Sequence, residues 1–67
     1  MKDTTYTTED GRFTATVSFN ASETTWGYHV HFAVDDVITD TARFHTKEEA
    51  QHTARFWVEL MAKAQQV

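Results

Sequence analysis

Sixty-seven residues make one domain, spanning 1–67, with one small core. Without cysteine there is no disulfide and no cysteine-held zinc to staple it, and a net charge of −4 with neutral histidines works against binding a phosphate backbone. No apolar run approaches the ~18 residues that cross a bilayer, and Met1-Lys2-Asp3-Thr4-Thr5 lacks the apolar segment of a signal peptide. A soluble cytoplasmic protein is expected, in the host cytoplasm if viral, with no membrane association and with the Asn20-Ala21-Ser22 sequon unmodified.

Thr4 to Thr8 is β-branched and aromatic, and Asp10-Gly11 after it is a hairpin signal. Arg12 to Phe19 alternates, with Phe13, Ala15, Val17 and Phe19 on one face and Thr14, Thr16 and Ser18 on the other. Asn20 to Thr25 is polar and reads as a loop. Trp26 to Val34 alternates again, Trp26, Tyr28, Val30, Phe32 and Val34 against Gly27, His29, His31 and Ala33. Asp35-Asp36 breaks the run, and a last strand covers Ile38 to Phe44.

Turn lengths give a register. A turn at Asp10-Gly11 sets Thr8 opposite Phe13 and Tyr6 opposite Ala15. The loop Asn20–Thr25 sets Phe19 opposite Trp26 and Val17 opposite Tyr28. A turn of Asp35-Asp36 alone would put Thr39 and Thr41 on the apolar face; the loop Asp35-Asp36-Val37 instead pairs Val34 with Ile38, Val30 with Ala42 and Tyr28 with Phe44. The second is preferred. It leaves Asp40 opposite Phe32 on the wrong side, which a strand bulge or an edge position would explain.

Thr46-Lys47-Glu48-Glu49 fits a capping box, the Thr46 hydroxyl on the Glu49 N–H and the Glu49 carboxylate reaching back. The acidic first turn suits the helix dipole. From Thr46 to Ala64, the residues Ala50, Ala54, Trp57, Val58, Met61 and Ala64 form one stripe, with Phe56 and Leu60 outside it. The fold class is therefore α+β: a three- or four-stranded antiparallel meander followed by one C-terminal helix on one sheet face. Thr4–Thr8 is a fourth strand or a frayed end.

A sheet of four strands is about 15–20 Å wide and a helix about 10–12 Å across. One helix therefore covers about half of the apolar face. The remainder would include some of Tyr6, Phe13, Val17, Phe19 and Trp26, more apolar surface than a monomer leaves in water. A homodimer is expected, its interface formed by Phe56, Leu60, Tyr6 and Phe19.

The other face is the candidate partner-binding surface, gathering Thr14, Thr16, His29, His31, Thr41 and Arg43, with Gly27 and Thr39. The register sets His29 between Thr16 and Arg43, and His31 between Thr14 and Thr41. A His-x-His pair points both imidazoles the same way, but no third ligand accompanies it; no metal and no cofactor is expected, and surface histidines are the plainer reading. Catalysis has no anchor. No Ser or Cys sits in a nucleophile context, the turn carboxylates Glu9-Asp10 and Asp35-Asp36 are of the solvated kind, and Glu48-Glu49 is explained by capping. The expectation is a protein that is not an enzyme.

The run Arg43-Phe44-His45-Thr46-Lys47-Glu48-Glu49-Ala50 resembles the strand end, cap and helix of small β-β-β-α DNA-binding modules, among them the integrase N-terminal arm domains. That resemblance implies a sheet face that reads DNA; here the face offers Arg43, with Arg12 nearby, where those modules present several basic residues. It also resembles short bacterial and phage domains of unassigned role. The expected function is a small non-enzymatic protein-interaction or inhibitory module, of the kind phages and mobile elements encode, working as a homodimer against a protein target. The alternative is a nucleic-acid-binding module using the polar sheet face.

Overall fold

Left-handed backbone at Gly11 (φ 74°), Asp35 (φ 51°) and Asp36 (φ 67°) turns the chain back at two of its hairpins. The computed structural model describes residues 3–22, 24 and 26–64. The strands β1 (Thr4–Thr7), β2 (Phe13–Asn20), β3 (Gly27–Val34) and β4 (Val37–Phe44) form one antiparallel sheet in the order β1-β2-β3-β4, and the helix α1 (Lys47–Ala64) follows. The architecture is ββββα, with Thr4–Thr7 an ordered fourth strand. Of the expected Asn20–Thr25 loop, Glu23 and Thr25 lie outside the described residues.

The first hairpin has the expected register, with Tyr6 opposite Ala15. The Thr8 N–H donates to the Phe13 carbonyl at 3.1 Å, and the Gly11 N–H closes the turn on the Thr8 carbonyl at 2.9 Å. The second hairpin differs from the expectation. Phe19 pairs with Tyr28 rather than Trp26, and Val17 with Val30 rather than Tyr28, a slide of two residues. An even slide keeps every side chain on its face, so the hydrophobic pattern cannot see it. The strands instead pair one step further, to Asn20 opposite Gly27. Phe19 still meets Trp26 edge-on, ring centroids 5.7 Å apart, and tilts against Tyr28 at 4.9 Å.

The third hairpin uses both of its candidate turns. Next to Asp35-Asp36 the pairs are Val34 with Val37 and Ala33 with Ile38; beyond a bulge they are Phe32 with Asp40, Val30 with Ala42 and Tyr28 with Phe44. Two central residues at positive φ match the right-handed strand twist, and Asp tolerates that region better than most side chains. The bulge absorbs the odd residue, Thr39, whose hydroxyl donates to the Phe32 carbonyl at 3.4 Å. It also turns Ile38 onto the face of Ala33, away from the helix, where it is 62% exposed, correcting the expected Val34–Ile38 pair.

Ala15, Val17, Val30 and Phe32 from the two central strands meet Ala50, Ala54 and Val58 of α1, and all are buried. The alanines let the helix backbone approach the sheet closely. Trp57 packs edge-on to Phe13 (5.9 Å) and tilted on Phe32 (5.0 Å), closing one end of the core. Thr46 caps the helix: its hydroxyl accepts the Glu49 N–H and donates to the Glu49 carboxylate, both at 3.2 Å. Val17 is buried and Phe13 covered by Trp57, whereas Trp26, Phe56 and Leu60 are uncovered as expected and Val37 and Ile38 join them. Phe56 and Leu60 lie on the outer side of α1.

Candidate functional site

Alternation along β2 and β3 sets every second side chain on the sheet face away from α1, and that face carries no second layer among the described residues. Rungs run across it in register. Thr7, Thr14, Ala33 and Ile38 form one; Thr5, Thr16, His31 and Thr41 the next; Ser18, His29 and Arg43 a third. All six residues predicted for this face, Thr14, Thr16, His29, His31, Thr41 and Arg43, lie on it. Their neighbours differ from the expectation: His29 sits between Ser18 and Arg43, and His31 between Thr16 and Thr41. Thr39, the bulge residue, falls outside these rungs.

The hydroxyls are held in place by one another. Thr7 and Thr14 approach to 3.3 Å, Thr5 and Thr16 to 3.5 Å, and the Thr7 hydroxyl also donates to the Phe13 carbonyl at 3.1 Å. The His31 Nδ1 lies 3.3 Å from the Thr41 hydroxyl, and its ring stacks with that of His29 at 6.4 Å between centroids, 25° from parallel. Arg43 is steered by a gap. A Cβ on Gly27 would stand 2.9 Å from the Phe44 carbonyl oxygen and 3.4 Å from the Arg43 Cγ, so the bare glycine, at φ 138°, leaves room for the arginine stem.

Sequence reasoning left Thr5, Thr7 and Ile38 off this face, whereas Ser18 lies on it as the alternation of β2 expects. The threonines of β1 were within reach, since setting Tyr6 on the apolar face sets its neighbours on the other. Ile38 was not, because only the bulge moves it there.

Arg43 is the one formal charge among the strand residues of this face; the carboxylates of Glu9, Asp10, Asp35 and Asp36 sit in turns, and those of Glu48, Glu49 and Glu59 on the helix. Arg12 is engaged elsewhere, its guanidinium forked onto the Asp35 carboxylate at 3.1 and 3.3 Å. Among the described residues no group of three or more His, Asp or Glu side chains gathers to hold a metal ion, and no helix is long and apolar enough to cross a membrane. A scan against protein-family models finds no match, and neither do comparisons with curated proteins and with solved structures.

Proposed function

We propose that the protein is a small non-enzymatic interaction module that works as a homodimer and offers its open sheet face to a protein target, in the manner of an inhibitory module encoded by a phage or mobile element. The observation that carries this reading is the open face itself: built on the two central strands, rich in hydroxyls and carrying a single formal charge among its strand residues. Threonine is stiff at its first side-chain torsion. A row of threonines bonded to one another therefore loses little entropy when a partner covers it. The homodimer is supported by Phe56 and Leu60, 60% and 48% exposed on the outer side of α1, with the half-buried Tyr6 and Phe19 at the sheet.

A nucleic acid is the weaker fit. The phosphate backbone rewards basic surface before anything else, and one arginine on a chain of net charge −4 gives it little. The test is cross-linked capture from the native host with the unaltered protein and with the His29→Ala/Arg43→Ala variant. Capture of one protein species by the first alone, at unchanged folding stability, supports the reading. Binding to DNA or RNA that falls steeply with salt, and is lost in the variant, overturns it.

A further inference from the structure

The two edges of the sheet are built differently. On β4 the bulge at Thr39 breaks the ladder, and Asp40 stands on the helix side opposite Phe32. The Asp40 carboxylate then accepts the N–H of its own neighbour Thr41 at 2.8 Å, occupying a donor that an added strand would need. A bulge and an inward carboxylate are the devices by which natural sheets close an edge to another chain. On β1 neither is present. Thr4-Thr5-Tyr6-Thr7 is uncharged, β-branched and aromatic, and its pairing with β2 is unbroken.

Hydrogen-bond alternation says which groups β1 turns outward. The Thr8 N–H bonds to Phe13 of β2, so Tyr6 and Thr4, two and four residues back, also face β2, and the N–H and C=O of Thr5 and Thr7 face away. Extending the alternation by one residue beyond the strand turns Asp3 outward as well.

We infer that β1 pairs antiparallel with β1 of a second copy, centred on Thr5 opposite Thr5, to give one continuous sheet across a two-fold axis. This rests on the homodimer reading above and places its seam at β1 rather than at Phe56 and Leu60. An axis perpendicular to the sheet keeps both helices on one side and requires facing residues to share a face, which limits the register to even shifts. Centring on Thr5 sets Thr7 against Asp3 of the other copy and uses every outward group from Asp3 to Thr7. Centring on Tyr6 leaves Asp3 out.

The same register sets Tyr6 opposite Thr4 of the other copy, on the helix side. Thr4 lines a bay of about 240 Å³ together with Asp3, Val17, Phe19, Tyr28 and Lys47. Tyr6 packs on the core of its own copy, so at the seam its ring borders this bay and covers part of its open side.

The experiment combines light scattering with amide exchange by NMR. Thr5→Pro removes an outward N–H and the exposed Thr5–Thr16 hydroxyl contact but leaves the backbone bonds to β2 intact, which an edge strand tolerates. It should weaken dimerisation on the order of 100-fold, through the lost hydrogen bonds and the ring in the seam, with the monomer still folded by circular dichroism. In the unaltered protein, protection of the Thr5 and Thr7 amides should rise with protein concentration while that of Tyr6 stays high throughout. A dimer that survives Thr5→Pro, or whose Thr5 and Thr7 amides exchange freely, overturns the β1 seam and leaves the homodimer standing; loss of that dimer with Phe56→Glu would then place the contact on α1. A protein that is monomeric at tens of micromolar overturns both.

Discussion

Gly27 shows how much one missing side chain can position. Its φ of 138° and the Phe44 oxygen 2.9 Å from where a Cβ would stand leave no room for alanine. Gly27→Ala is therefore expected to cost about 2 kcal/mol or more, read by urea unfolding, because strain at such a site exceeds the entropy that alanine returns. The same variant should shift the Arg43 side-chain resonances, since its stem lies against that gap. Asp10 gives a prediction in pH. Its carboxylate accepts the Thr8 hydroxyl at 2.6 Å and the Arg12 N–H at 3.1 Å. These two bonds, the Thr8 one first, hold its pKa below the usual carboxylate value against a small opposing effect of burial. A lowered folded pKa stabilises above the unfolded value and stops doing so as the pH falls through the folded one. The stability difference between the unaltered protein and Asp10→Asn should be full at pH 7 and close as the pH drops below about 4.

Among the elements, the third hairpin is the most specified. Asp36 holds φ 67° without being glycine, next to the like charge of Asp35. Asp36→Gly should raise stability by roughly 0.5 kcal/mol, as relief of the left-handed strain outweighs the added freedom of the unfolded chain. Asp40→Val should leave the sheet intact but free the Thr41 N–H and remove the inward charge, so that sedimentation shows association through β4. Much of this was legible. The alternation gave each strand its face, the capping box gave the helix its start, and the misfit of Asp40 against Phe32 called for a bulge or an edge position, both of which β4 has. The hairpin from β2 to β3 was not, because a pattern of period two fixes parity alone and Asn20 and Gly27 favour neither of two even registers. The place of the bulge was hidden for a related reason: a short turn and a longer register each satisfied half of β4.

For the whole molecule, the aromatic contacts of Trp57 join the helix to both central strands. A chain of this length holds about 3–10 kcal/mol of folding stability in all, and a Trp→Ala change in a core removes about 3–5 kcal/mol. Trp57 is only half-buried, which sets its loss toward the lower figure. Trp57→Ala should accordingly leave a measurable unfolded fraction at 25 °C, seen as a broad, early melt in circular dichroism. The six predicted face residues were legible together because they sit on the two longest alternating strands and on β4 beyond its bulge. The uncovered apolar surface was legible at Trp26, Phe56 and Leu60 but not at Phe13 and Val17, since the cover over those two is decided by which side chains interlock.

The sheet joins only strands that are neighbours in the chain. Each hairpin can therefore zip from its own turn, and no strand has to wait for a distant segment to return. Such local connectivity lowers the relative contact order and with it the barrier to folding. The chain also contains no proline, so no slow isomerisation about an X–Pro bond is available to delay any molecule. Stopped-flow refolding should run as a single exponential, complete without a phase on the scale of tens of seconds.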